Sequence, residues 1–118
     1  MVRKQRGAPA FEILYIRIYN IKMIYEWDET KRAANIAKHG LDFADADMVL
    51  ESSYVMIKDS PRKGEARKQA IAYVFEALCV LTVAFVAGER CRIVSFRPAK
   101  RKERETYYEW LESDGDEQ

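Results

Sequence analysis

Residues 67–97 read RKQAIAYVFEALCVLTVAFVAGERCRIVSFR, and this segment decides the fold because it holds three β-type runs. The runs cover residues 67–75, 78–86 and 91–97, with breaks of only a few residues between them. Because breaks this short suit hairpins, consecutive antiparallel pairing is the simplest connection. The middle run is apolar throughout, which predicts a central strand.

The last run alternates in polarity, as a strand with two different faces does. Alternation places Arg92 on one side of the sheet together with Phe96. Arg97 then falls on the opposite side with Ile93, unless it turns around the sheet edge at the strand end. Pro98 is expected to stop the strand.

A final helix is predicted beyond the sheet, on residues 100–112. Its apolar content is aromatic and aliphatic, supplied by Tyr107, Tyr108, Trp110 and Leu111. Aromatic residues at helical spacing are more often core than ligand-binding, so we expect at least one of the two tyrosines to be buried.

Upstream of the sheet, residues 25–40 read YEWDETKRAANIAKHG, which predicts a short strand followed by a capped helix. Asp28 can accept a backbone N–H bond at the helix start. Gly40 can adopt the left-handed conformation in which helices commonly end. His39, the one histidine of the chain, therefore lies on the last helical turn.

A second short helix is predicted next, because Phe43, Ala46 and Val49 recur at amphipathic spacing. Residues 54–58 then read as a strand. Together the pattern predicts an α+β domain with two N-terminal helices, an antiparallel sheet of about four strands and a C-terminal helix.

A length of 118 residues supports one modest core, and we assign the domain to residues 23–112. Residues 1–22 are expected to be an N-terminal extension, either upstream of a true start at Met23 or forming an extra strand. Residues 113–118 read as an acidic tail.

The net charge of +1 gives no argument for nucleic-acid binding, but the charge is unevenly distributed. Residues 58–68 hold five basic and two acidic side chains, and residues 97–104 hold five basic and one acidic. No apolar run is long enough to cross a membrane, and a cytoplasmic location is the default. The two cysteines are expected to be free thiols, and no ligand spacing for a metal is present.

Two motifs resemble those of the BrnT-type toxins of bacterial toxin–antitoxin pairs. The opening motif F-E-W-D-x-x-K-x-x-x-N-x-x-K-H-G-V-x-F is matched in register by Glu26, Trp27, Asp28, Lys31, Asn35, Lys38, His39, Gly40 and Phe43. The closing motif R-I-I-S-A-R-x-A-x-x-x-E-x-x-x-Y resembles residues 92–107. A weaker match surrounds Glu65 and Arg67, so the resemblance covers about 85 residues.

The resemblance implies a RelE-like fold and a ribonuclease that inhibits translation by cleaving RNA. It also implies neutralisation by a BrnA-type antitoxin in a hetero-oligomer. No cofactor is expected. Direct DNA binding is not expected either, because the predicted second helix is acidic where a helix that reads a DNA groove should be basic.

Cleavage of RNA without a metal needs a base for the 2′-OH proton and cations for the phosphate. Arg67 with Arg92 or Arg97 would give fork-shaped donors suited to phosphate oxygens. Equally, these arginines could solvate strand ends or pair with Glu65 and Glu103. Glu65 is the preferred proton acceptor, with a surface ion pair as the alternative.

His39 is a further acid–base candidate because its ordinary pKa is near neutrality, although a structural role at the helix C-terminus is favoured. Lys38 beside it could contact phosphate or merely be solvated. The remaining candidate RNA-binding residues are Arg62, Lys63, Lys100, Arg101 and Tyr107.

The loop at residues 59–65 departs from the family pattern, because many members have a His-Ser pair where this chain has Arg62 and Lys63. Either residue could replace that histidine, or activity could be weakened. The alternative function is a module whose two basic blocks bind nucleic acid, or an acidic or amphipathic segment of a partner, without cleavage.

Overall fold

A computed structural model of the chain describes residues 23–62 and 64–116, so the predicted extension at residues 1–22 lies outside the described part. The elements follow in chain order: β1 Ile24–Glu26, α1 Glu29–His39, a 3-10 turn Phe43–Asp45, α2 Asp47–Leu50, β2 Met56–Asp59, β3 Arg67–Val74, β4 Cys79–Val86, β5 Arg90–Pro98 and α3 Arg101–Asp116. The α+β class is confirmed.

The sheet has five strands in the order β1-β5-β4-β3-β2. Strands β2 to β5 form the expected antiparallel meander. The short strand β1 adds to the far edge and runs parallel to β5. The prediction of an antiparallel sheet of about four strands therefore holds for β2 to β5 and misses the parallel edge strand β1. A pairing between residues 24–26 and 90–92 joins distant parts of the chain, which local sequence patterns do not reveal.

Helix α1 begins and ends as predicted. The Asp28 carboxylate accepts a hydrogen bond from the Lys31 backbone N–H at 3.0 Å. Gly40 has a φ of 71° and donates its N–H to the Ile36 carbonyl at 2.8 Å. A left-handed φ costs glycine little, which explains why the helix stops there.

The predicted second helix is shorter than expected and is split into the 3-10 turn and α2. Phe43, Ala46 and Val49 are all buried. Phe43 lies in the 3-10 turn, Ala46 follows it and Val49 lies in α2, and all three side chains pack in the larger core of the sheet.

The two faces of the sheet are covered differently. The face toward the 3-10 turn and α2 holds the larger core cluster, which includes Phe43, Val49, Val83 and Phe96. The opposite face, here called the α3 face, holds a smaller cluster in which Tyr107 of α3 packs with Met56, Ile71, Val80 and Ala99. Helix α3 therefore covers one part of its face.

A β-bulge in β5 changes which side chains share a face. Ala84 of β4 pairs with Ser95 and Phe85 pairs with Ile93, so Val94 is an extra residue without a counterpart. Beyond the bulge Phe96 turns into the larger core beside Ile93, and Arg97 turns onto the α3 face. The predicted separation of Arg92 and Arg97 onto opposite faces was wrong for this reason.

Tyr107 fixes α3 to the sheet and is 1% exposed. Its hydroxyl donates to the Tyr54 carbonyl at 2.7 Å and accepts from the Tyr73 backbone N–H at 3.2 Å. The expectation that at least one tyrosine of this helix is core is confirmed. Helix α3 also extends to Asp116, four residues beyond its predicted end.

Candidate active site

Glu65, Arg67 and Arg92 come together on the α3 face and are called the arginine cluster below. Arg67 Nε donates to Glu65 Oε1 at 2.7 Å. A terminal nitrogen of the Arg92 guanidinium donates to Glu65 Oε2. Each carboxylate oxygen therefore contacts a different arginine, and the carboxylate bridges two cations from separate strands.

Sheet register explains why the two arginines meet. Val86 of β4 pairs with Arg67 on one side and with Arg92 on the other. Residues directly opposite each other in a sheet point to the same face. The two arginine Cα atoms are therefore about 10 Å apart, which is two strand spacings. Long side chains reach across that distance to a group placed between them.

A tight turn brings Glu65 to that position. The Glu65 N–H donates to the Arg62 carbonyl at 2.8 Å, and the Arg62 N–H donates to the Glu65 carbonyl at 3.1 Å. Gly64 has a φ of 78°, a conformation that glycine adopts at little cost. The turn therefore folds Glu65 back onto the start of β3, beside Arg67.

The electrostatics of the cluster keep Glu65 ionised. The hydrogen bond from Arg67 and the positive charges of Arg67 and Arg92 hold its pKa below the usual value. The three side chains are between 27% and 36% exposed, so solvent and ligands reach them. The cluster is a fixed anion beside two cations whose remaining N–H donors are available to bind an oxyanion.

Arg97 lies on the same face but has a different partner. Its guanidinium donates two hydrogen bonds to the Glu103 carboxylate, both at 2.9 Å. Glu103 also accepts from the Thr82 hydroxyl at 3.2 Å and from the Lys100 N–H at 2.9 Å. Burial alone would raise the pKa of Glu103, but these bonds and the Arg97 charge lower it to about 2. Arg97 therefore joins β5 to the start of α3.

His39 and Lys38 end α1. Burial lowers the pKa of His39, and the positive charges of Lys38 and Arg97 lower it further. The helix dipole would favour the charged ring, so these effects outweigh it. Among the described residues, no hydrogen bond or ion pair joins His39 or Lys38 to the arginine cluster.

The other candidate RNA-binding residues are spread over the surface. Arg62 is exposed in the turn beside Glu65, and Lys63 lies outside the described residues. Lys100 is exposed at the start of α3, and Arg101 pairs with Glu105 of the same helix at 3.2 Å. Tyr107 departs from its expected role, because its buried ring has no free face for stacking on a base.

The two cysteines of the chain lie in β4 and β5. Cys79 and Cys91 are free, as predicted. In the part of the chain that the structure describes, no three His, Cys, Asp or Glu side chains are grouped as metal ligands. Within those same residues, no helix has the length and apolar character needed to span a membrane.

Most of the described chain matches one known protein family. The family model described as the ribonuclease toxin BrnT of type II toxin–antitoxin systems matches residues 27–103. The chain belongs to the BrnT family. The matched part of this BrnT member contains the whole arginine cluster and the Arg97–Glu103 pair. No curated protein matches the chain.

Membership confirms the resemblance carried by the two motifs, and it makes the protein a member of a ribonuclease toxin family whose systems include an antitoxin. Sequence reasoning missed two polar residues of this BrnT member, Gln69 and Ser95, which lie near the arginine cluster. Only the register of β3, β4 and β5 reveals their position, and for Ser95 that register depends on the bulge at Val94.

Proposed function

We propose that this BrnT family member is an endoribonuclease that cleaves RNA without a metal ion. The observation that carries the proposal is the Glu65 carboxylate held between Arg67 and Arg92 on an accessible sheet face. This arrangement supplies a proton acceptor and two phosphate ligands within one cluster.

The reaction begins when a backbone phosphate of the RNA binds the two arginines. The phosphate competes with Glu65 for the guanidinium donors, which releases the carboxylate beside a second anion. Both changes raise the pKa of Glu65 from its lowered value in the free protein, so the carboxylate becomes a stronger base.

Glu65 then takes the proton of the 2′-OH, and the 2′-oxygen attacks the adjacent phosphorus. The arginines stabilise the negative charge that builds up on the phosphate oxygens. The bond to the 5′-oxygen breaks, and that oxygen takes a proton from solvent at this open face. The products are a 2′,3′-cyclic phosphate end and a 5′-hydroxyl end.

Arg62, Lys100 and Arg101 are proposed to bind other phosphates along the RNA, because all three are exposed basic residues and Arg62 lies in the turn that carries Glu65. Lys63, which lies outside the described residues, is proposed to do the same. Cleavage of messenger RNA in the cytoplasm would inhibit translation. A BrnA-type antitoxin would neutralise the toxin in a hetero-oligomer by blocking access to the arginine cluster.

One observation favours the alternative, a module that binds nucleic acid or a partner without cleaving RNA. Glu65 is engaged by both arginines, and an ion pair of this kind is also a common way to neutralise charges on a surface. The absence of a histidine from the turn sequence points the same way.

Incubation of the purified protein with RNA in excess EDTA separates the two functions. Cleavage that persists in EDTA and leaves 2′,3′-cyclic phosphate ends supports the ribonuclease. Glu65→Gln should lower the rate by at least about 100-fold, the usual contribution of a general base. Glu109→Gln changes an exposed carboxylate of α3 in the same way and should leave the rate unchanged. RNA that remains intact with the unaltered protein would favour the binding module.

A further inference from the structure

A second row of side chains lies on the α3 face, one step along the strands from the arginine cluster. Ala84 of β4 pairs with Gln69 on one side and with Ser95 on the other. The row is parallel to the one formed by Arg67, Val86 and Arg92. The two rows are about 7 Å apart, because residues that share a face of a strand are two positions apart.

The polar groups of this row have no partner in the described structure. Neither the Gln69 amide nor the Ser95 hydroxyl makes a hydrogen bond to another described residue, although both side chains are partly buried. The next row contains Thr82 and Arg97, and both of these contact Glu103 of α3. Helix α3 therefore provides hydrogen-bond partners for the row that contains Thr82 and Arg97. The polar groups of Gln69 and Ser95 remain available to bind a ligand.

The shape of the row suits a flat ligand. Gln69 and Ser95 have Cα atoms about 10 Å apart, two strand spacings, with the small Ala84 between them. Ala84 and Val86 together give an apolar floor that continues to the arginine cluster. A planar ring can lie on this floor while a side chain at either end reaches its edge.

We propose that Gln69, Ala84 and Ser95 form a nucleobase site that sets the sequence preference of the enzyme. This nucleobase site rests on the proposed function, because the nucleotide bound here is the one whose phosphate contacts Arg67 and Arg92. The base of that nucleotide lies over Ala84. The edge of the base forms hydrogen bonds with the Gln69 amide and the Ser95 hydroxyl. An amide presents one donor group and one acceptor, which matches the neighbouring donor and acceptor atoms on the edge of a base.

The experiment uses a pool of single-stranded RNA with randomised positions, and the cleavage sites are mapped by sequencing the product ends. Gln69→Met keeps the length of the side chain but removes its hydrogen-bonding groups. Ser95→Ala removes the hydroxyl and keeps the β-carbon. We expect each variant to weaken the base preference at one position beside the cleaved bond by at least about fivefold. Thr106→Ala, on the exposed surface of α3, should leave the preference unchanged.

Binding to RNA oligonucleotides of a single base type tests the same site without cleavage, and circular dichroism checks that each variant is folded. If the unaltered protein fails to cleave but its base preference in binding depends on Gln69, the ribonuclease proposal fails and the nucleobase site stands. If Gln69→Met and Ser95→Ala keep the full preference in both assays, or if the unaltered protein shows none, the nucleobase site is overturned.

Discussion

The side chain of Asn35 completes the hydrogen bonds of Phe96 in β5. Its amide nitrogen donates to the Phe96 carbonyl at 2.7 Å, and its amide oxygen accepts from the Phe96 N–H at 3.2 Å. Strand β1 pairs only with residues 90–92 of β5, so the edge of β5 is uncovered at Phe96. Asn35 therefore acts in place of a neighbouring strand, and it also donates to the Leu41 carbonyl at 2.9 Å.

Asn35→Ala should lower the free energy of unfolding by about 2–4 kcal/mol, because two backbone groups of Phe96 would lose their partner in a buried place. Asn35→Asp should cost at least as much at neutral pH, since a carboxylate would face two carbonyl oxygens. Denaturant unfolding measures both, with Lys31→Ala on the exposed side of α1 as the control. A loss below about 0.5 kcal/mol for Asn35→Ala would show that the contact does not hold the helix to the sheet.

Arg92→Lys should lower the cleavage rate by about 10- to 100-fold, because lysine keeps the charge but lacks the planar fork that contacts two oxygens. The salt dependence of RNA binding should stay the same in this variant. Arg92→Gln removes the charge. The slope of log binding constant against log salt concentration should then become less negative by about 0.7 for a single strand. Rates and binding slopes measured together distinguish geometry from charge, and a fully active Arg92→Lys would argue against a role for the fork.

Acid should destabilise the protein through Glu103. The pKa of this group falls from 4.5 to about 2 in the folded state, so its contribution is fully present above pH 4.5 and is lost as the pH falls toward 2. The contribution is about 3 kcal/mol. Glu103→Gln should cost a similar amount at pH 7 and should flatten the dependence between pH 5 and 2.

Unfolding curves recorded at pH 7 and pH 3 test this expectation. Some acid sensitivity should remain in Glu103→Gln, because hydrogen bonds from Arg32 and Ala44 lower the pKa of Asp42 to about 2 as well. If the free energy of unfolding falls by the same amount from pH 7 to pH 3 in Glu103→Gln as in the unaltered protein, the Arg97–Glu103 pair adds nothing to stability.

His39→Gln should leave the cleavage rate within about threefold of the unaltered protein. No hydrogen bond or ion pair of the described residues joins the His39 ring to Glu65, Arg67 or Arg92. The pH profile of cleavage is the decisive measurement. If His39 were the general acid, the variant would lose about 100-fold in rate, and the limb of the profile due to the imidazole would disappear.

The sequence predicted the parts of the fold that depend on neighbouring residues. The caps of α1 at Asp28 and Gly40 follow from local hydrogen bonding and backbone conformation, and the β3–β4–β5 meander follows from short breaks between apolar runs. The position of β1 was not predicted, because its pairing with β5 depends on a contact between residues more than sixty positions apart.

For the site, sequence analysis named the members of the arginine cluster but left their partners open. The Glu65 contacts depend on how the turn at residues 62–65 folds back, and those of Arg97 depend on where α3 begins. The Gln69 amide was not singled out because its residue type carries no catalytic signal. Only its register opposite Ala84 places it near the arginines.

The extra residue at Val94 makes the number of amino acids between Arg92 and Arg97 as important as their identity. Removing one of them together with the bulge would leave the two arginines four positions apart and still on one face, whereas losing the bulge at the present length would turn Arg97 toward the hydrophobic interior. In comparisons between relatives, a one-residue gap in this interval should therefore be read as a regular strand that presents the same two arginines together, and an ungapped relative should need the bulge to do so.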